Sequence, residues 1–238
     1  MVKLFMQKEY RVAIVGATGV VGKTMLEILE QRNFPISELY LLASERSAGE
    51  MVEFHQHTLF VEDLSEFDFS KANIALFSAG ANVSEKYAPI AVDAGCVVID
   101  NTSRFRYEPE IPLIIPEVNG DIIENYHIPG IIANPNCSTI QMLVALKPIY
   151  DAVGITRINV ATYQSVSGAG QKALRDLIMQ TSAFLNGKSY DSEIFSHKIA
   201  FNVIPQIDVF QENGYTKEEM KMVWETQKIL QDDAIQVN

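Results

Sequence analysis

The chain of 238 residues has only two cysteines, Cys96 and Cys137, and four histidines. Two thiols cannot form a disulfide framework, and they suit a reducing cytoplasm. No apolar run approaches the roughly eighteen residues that a membrane-crossing helix requires. The first ten residues, Met1 to Tyr10, show no signal-peptide core, so a secreted or membrane protein is not expected. Basic residues are also scarce: 19 Lys and Arg face 30 Asp and Glu, a formal charge of −11. This argues against nucleic acid or an anionic membrane as a general partner. His55 and His57 stand two apart with no third ligand nearby, and His127 and His197 fall in loops, so no metal site is expected.

What remains is an ordinary globular mixture, 47% hydrophobic and 21% charged, long enough for one large domain or two small ones. Arg11–Val15 reads as a strand buried on both faces. Apolar residues then recur at helical spacing from Val21 to Leu29, and Asn33 and Pro35 stop the helix. Strands follow at Leu39–Ala43, at Ile74–Phe77 and at Val97–Asp100, with one or two half-exposed strands between Met51 and Val61. A helix to about Ala94, capped by Asn82 or Ser84, separates the last two. Strand and helix in alternation imply a parallel sheet covered by helices. The fold class is therefore α/β, a Rossmann-type domain over residues 1–133. A second, α+β domain is expected over 134–238, with helices from Cys137 through Leu146, from Gln171 to Leu185 and from Thr216 to about Leu230. Arg157–Tyr163 is expected as a strand, and Thr216-Lys-Glu-Glu219 fits a capping box.

Two local patterns carry chemistry. The first is Gly16-Ala-Thr-Gly-Val-Val-Gly22 between a strand and a helix, an arrangement that cradles a phosphate on free backbone N–H groups. The spacing differs from the usual dinucleotide pattern, and a tight turn that binds nothing is the bland alternative. At the end of the second strand, Ser44, Arg46 and Ser47 fit the 2′-phosphate of NADP, and Glu45 is expected to face water. The second pattern is Cys137, which follows Asn134-Pro-Asn136 at the start of a helix, a position that favours a thiolate nucleophile. Cys96, beside a buried strand, reads as an inert core thiol.

At this point the chain resembles the aspartate-semialdehyde dehydrogenases. The resemblance rests on the glycine loop, Phe77-Ser-Ala-Gly80, Asn101-Thr-Ser103, Pro116-Glu-Val-Asn119, Asn134-Pro-Asn-Cys-Ser-Thr139, Thr162-Tyr-Gln-Ser-Val-Ser-Gly-Ala-Gly170, Ile204-Pro-Gln-Ile-Asp208 and Glu218-Glu-Met-Lys221. The cysteine context differs from the Gly-Cys-Tyr of N-acetylglutamyl-phosphate reductases and from the Ser-Cys-Thr-Thr-Asn of glyceraldehyde-phosphate dehydrogenases. The resemblance implies NADPH-dependent conversion of 4-phospho-aspartate to aspartate 4-semialdehyde through a thioester on Cys137, in a cytoplasmic enzyme of lysine, threonine and methionine biosynthesis. It implies that Gln164 holds the acyl group, that Arg106, Asn136 and Lys221 bind phosphate, and that Glu218 meets the substrate ammonium. Cofactor contacts would come from Gly16, Thr18, Gly19, Val20, Val21, Gly22, Ala79, Gly80, Ser167 and Gly168. Without the resemblance, Arg106 reads as a surface loop charge and Lys221 as a solvated helix face.

The family's further arginine and histidine have no counterpart before Asn238. By the resemblance, the chain is therefore expected to be the N-terminal part of a longer homodimer or homotetramer, with residues 134–238 an incomplete catalytic and dimerisation domain, impaired in turnover by itself and with apolar surface left uncovered. A related acyl-CoA reductase of malonyl-CoA type and a non-catalytic nucleotide-binding module are the two alternatives. A full set of Cys137, Gln164, Arg106 and Lys221 argues against the second.

Overall fold

The computed structural model describes residues 9–127, 129–192 and 194–238, so the reading of residues 1–8 lies outside the described residues. The first half runs β1 (Tyr10–Val15), α1 (Val20–Gln31), β2 (Ile36–Ala43), β3 (Met51–Phe54), β4 (His57–Asp63), β5 (Ile74–Phe77), α2 (Ala81–Asp93), β6 (Val97–Asp100), α3 (Pro116–Asn119) and β7 (Ile131–Ala133). These strands make one seven-stranded sheet in the order β3-β4-β2-β1-β5-β6-β7. All neighbours are parallel except the β3–β4 hairpin at one edge. The Met51–Val61 segment is thus two strands, turned at His55 and Gln56, both with positive φ.

Period-two burial explains why β1 lies at the centre. Val12 and Ile14 pack with Leu26, Leu41 and Phe54 on one face. Ala13 and Val15 pack with Leu42, Phe77, Ala88 and Val98 on the other. Successive strand side chains point to opposite faces, so a continuous β-branched run is what a strand covered by helices on both sides needs. The expected cap of α2 by Asn82 or Ser84 is not found, and Asn82 lies inside the helix. Its N-cap is Gly80 at φ +100, with no side-chain cap. Ser84, expected as a possible cap, is buried and donates to Asp100 Oδ1 at 2.8 Å. A hydroxyl one turn into the helix is worth more as a buried partner for that carboxylate than on the helix end.

The second half contains α4 (Cys137–Val153), β8 (Arg157–Ile158), α5 (Gln171–Leu185), α6 (Lys217–Leu230) and β9 (Gln236–Val237). Helix α4 continues through Pro148 to Val153 rather than ending near Leu146. Proline removes one bond, to the carbonyl of Val144, and that residue is exposed, so water can take its place. The strand expected over Arg157–Tyr163 is confined to Arg157–Ile158, paired in parallel with β9. A strand needs edges to pair with, and among the described residues β9 supplies the only one. Tyr163, Ile178, Phe184, Leu185, Phe201, Val203, Val209 and Phe210 are all exposed in this half. Helix α6 opens with both halves of the capping box between Thr216 and Glu219.

Candidate active site

The glycine turn leaves the carboxyl end of β1, and Cys137 lies four residues beyond the carboxyl end of β7. Because β1 and β7 run parallel in one sheet, both lie along the same edge, where open α/β sheets bind ligands. Beside the glycine turn is a cleft of about 560 Å³. It is lined by Gly16, Thr18 and Gly19 after β1, Ala43–Glu45 at the end of β2, Asp63–Ser65 at the end of β4, Ser78 and Ala79 after β5, and Val83 and Tyr87 on α2. The turn itself is built by close backbone approach. Gly16 sits at φ +94, and a Cβ on Gly22 would lie 2.2 Å from the Gly16 carbonyl oxygen. Gly19 N–H donates to that oxygen at 3.0 Å. No side chain caps the start of α1, an arrangement that fits a dinucleotide pyrophosphate.

Among the cofactor candidates, Gly16, Thr18, Gly19, Ser44 and Ala79 line this cleft. Val20, Val21 and Gly22 form the first turn of α1, and Gly80 caps α2. Arg46 and Ser47 occupy the single turn Glu45–Ser47 at its margin and are not among the lining residues. Glu45 is exposed, as expected, and it also lines the cleft. A short turn directly after a strand leaves its first side chain on the carboxyl edge. Asp63, at the matching end of β4, was missed; its carboxylate accepts from Ser65 N and Oγ, both at 2.9 Å. Ser167 and Gly168 lie elsewhere, in the turn Val166–Ala169, where a Cβ on Gly168 would fall 2.0 Å from Gln164 Nε2. Gln164 itself is exposed.

Cys137 is exposed at the first residue of α4. Asn136 is the N-cap, its Oδ1 accepting from Ser138 N at 2.9 Å. Asn136 Nδ2 donates to Glu218 Oε1 at 2.9 Å, and the other Glu218 oxygen accepts from Lys221 Nζ at 2.8 Å. Helical spacing of three places Glu218 and Lys221 together, and α6 brings both to the start of α4. Lys221 also donates to Asp208 Oδ2 at 3.0 Å. Burial would depress the Lys221 ammonium, but its bonds to Glu218 and Asp208 outweigh this and raise it above the ordinary lysine value.

Arg106 corrects the surface-charge reading: it is 7% exposed. Its Nε and Nη2 donate to the carbonyls of Thr102 and Asn101, each at 3.0 Å, folding the loop after β6 around the guanidinium. Its Nη1 donates to Glu225 Oε1 at 3.0 Å. Glu225, fully buried on α6, was not anticipated; its other oxygen accepts from Asn136 N at 2.6 Å. Burial and the Glu225 charge hold the neighbouring Tyr107 hydroxyl above the ordinary phenol value. Lys228, one turn further on, donates to the carbonyls of Arg106, Glu108 and Ile111 at 2.7–2.9 Å. The sequence carried a trace of this: Glu218, Lys221, Glu225 and Lys228 share the phase of the buried Met222 and Ile229. Among the described residues no group of three or more His, Cys, Asp and Glu is placed to hold a metal, and no helix is long and apolar enough to cross a membrane.

A glycine turn on a doubly covered, mostly parallel sheet, with an exposed cysteine opening a helix on the same edge, is the arrangement of a Rossmann-type oxidoreductase. Family models agree: the NAD-binding domain of semialdehyde dehydrogenase matches residues 11–126, and the semialdehyde dehydrogenase dimerisation domain matches 146–238. The aspartate-semialdehyde dehydrogenase 2 of Vibrio cholerae is 62% identical over 98% of this chain and 69% of its own length. The aspartate-semialdehyde dehydrogenase of Shewanella violacea is 61% identical over the same shares. A crystal structure of the Vibrio cholerae aspartate semialdehyde dehydrogenase II complexed with ASA superposes with a TM-score of 0.95, covering 98% of this chain and 69% of that one. The chain belongs to the aspartate-semialdehyde dehydrogenase family.

Proposed function

We propose that this chain carries the cofactor cleft and the nucleophile of an NADPH-dependent enzyme that converts 4-phospho-aspartate to aspartate 4-semialdehyde. The observation that carries the site reading is the convergence of Cys137, Asn136, Glu218, Lys221 and Arg106 where α4 meets α6. The Cys137 sulfur attacks the acyl carbon, the bond from that carbon to the phosphate oxygen breaks, and inorganic phosphate departs. Arg106 and Lys221 hold the phosphate group through this step, since two cations offset charge gathering on the leaving oxygens. Gln164 donates to the acyl oxygen, and Glu218 receives the substrate ammonium. Bound beside the glycine turn, NADPH supplies the hydride that reduces the thioester. Collapse of the hemithioacetal then breaks the carbon–sulfur bond and returns the thiolate.

Several finer points belong to the same reading. We place the domain boundary at residues 133 and 134, because β7 still pairs with β6 in the first sheet while α4 packs against α6. The apolar side chains exposed on the second half support a homodimer, itself able to pair into a homotetramer. The unpaired thiols support a cytoplasmic location. Ser44, Arg46 and Ser47 are assigned to the 2′-phosphate, with Ser167 and Gly168 beside the nicotinamide. The deciding experiment is Cys137→Ser in the enzyme that contains this chain, assayed as phosphate-dependent NADP reduction with the semialdehyde. Activity should fall by at least a thousandfold with NADPH binding unchanged; unaltered turnover would remove the nucleophile. Substituting coenzyme A for phosphate should give no product.

A further inference from the structure

Glu225 is 0% exposed, yet it carries a carboxylate. Removing such a group and an arginine from water costs several kcal/mol per ion, and two apolar side chains of similar volume would fill the space without that cost. The pair therefore contributes direction rather than stability. One carboxylate oxygen takes Arg106 Nη1 at 3.0 Å, and the other takes the backbone N–H of Asn136 at 2.6 Å. The first group lies on the loop after β6 and the second opens the helix that starts with Cys137. Glu225 thus ties the Arg106 head directly to the start of α4. The guanidinium has five N–H bonds, and three are taken by Thr102 O, Asn101 O and Glu225. Two remain, one on each terminal nitrogen, enough to meet two oxygens of an anion.

We propose that Glu225 is a positioning residue that fixes the Arg106 guanidinium relative to the Cys137 helix and thereby sets the phosphate affinity of the site. This rests on the reading of Arg106 and Cys137 given above. Glu225 touches neither phosphate nor acyl group. It acts by holding the remaining Arg106 donors at one distance from the sulfur. Lys228 on the same helix face fixes the loop backbone, whereas Glu225 fixes the charged head. An error of about 1 Å in such a placement costs on the order of a hundredfold in rate.

The test reads alkylation of Cys137 by iodoacetamide and its protection by inorganic phosphate. Cys96 stays silent in the folded protein because burial pushes its thiol up to about 11. In the parent, phosphate should slow the labelling. If it does not, the phosphate reading of the site fails and the role of Glu225 falls with it. Glu225→Asp keeps the charge but withdraws one methylene, so it reaches only one of its two partners. The phosphate concentration for half-protection should rise about tenfold, with NADPH affinity unchanged. Glu225→Gln presents an N–H to one of two donors and should weaken phosphate at least as much. If Glu225→Gln fails to fold, Glu225→Asp decides. Protection within twofold of the parent overturns the inference, and so does a loss of NADPH affinity in step with the loss of protection, which would mark a merely structural role.

Discussion

Gly22→Ala tests whether the cofactor turn depends on backbone contact or only on local conformation. The two effects have opposite signs. Gly22 lies inside α1, where alanine is favoured over glycine by about 1 kcal/mol. Against this, the new Cβ would sit 2.2 Å from the Gly16 carbonyl oxygen, 2.8 Å from Ala17 Cα and 2.9 Å from the Gly16 carbonyl carbon. Ordinary carbon–oxygen contact begins at about 3.3 Å, so backbone must retreat by roughly 1 Å. None of the three atoms belongs to a side chain that can swing away. Overpacking of this kind costs about 1–3 kcal/mol, occasionally more, and the upper part of that range applies because the Gly16 oxygen also accepts from Gly19 N. A net loss of about 2 kcal/mol corresponds to a melting-point drop of about 4–8 °C for a chain of this size. The assay is thermal denaturation beside a fluorescence titration with NADPH, and binding should weaken at least tenfold because the moved atoms form the cradle. Gly49→Ala is the control: it has φ +87 but nothing within 4 Å, so it should lose a little stability and no affinity. A Gly22→Ala protein that melts at or above the parent temperature and binds NADPH equally well refutes the argument.

Other outcomes follow from the same geometry. Gly168→Ala puts a Cβ 2.0 Å from Gln164 Nε2, but a side-chain amide can rotate; kcat should fall tenfold or more with the melting point within about 2 °C. Lys228→Met strands three carbonyls that now accept from one ammonium, and urea titration should show a loss of about 3 kcal/mol. For Asp208, burial pushes its carboxyl up, but the bonds from Lys221 and Val209 N outweigh this and hold it below the ordinary carboxylate range. A depressed carboxyl stabilises the fold above its unfolded value and loses that contribution as pH falls through its folded value. Asp208→Asn should therefore melt lower than the parent at pH 7, by an amount equivalent to about 1 kcal/mol or less, and the gap should close as the pH falls below the ordinary carboxylate range. A gap that widens in acid would contradict the pairing.

Some of this molecule is written in short stretches of sequence. The β-branched run of β1, the glycines at 16, 19 and 22, and the capping box at Thr216 depend on neighbours in the chain, so their residue types settle their conformation. The same holds for Cys137, whose place at a helix start follows from Asn136 beside it. Other features required the folded chain. Arg106 reads as a loop charge beside Pro109, and only α6, more than a hundred residues later, turns it into a buried partner of Glu225. Glu225 looks like any polar residue of an amphipathic helix until α4 and the loop after β6 close over it. Arg157–Tyr163 has the composition of a strand, but pairing depends on which edges lie beside it, and only two residues find one. Glu45 reads as a solvent-facing loop residue and is exposed, but that it also lines the cleft depends on where β2 ends beside β1 and β4. Local conformation follows from local sterics and hydrogen bonding. Burial, charge pairing and strand pairing are relations between distant segments, and no single stretch of sequence contains both partners.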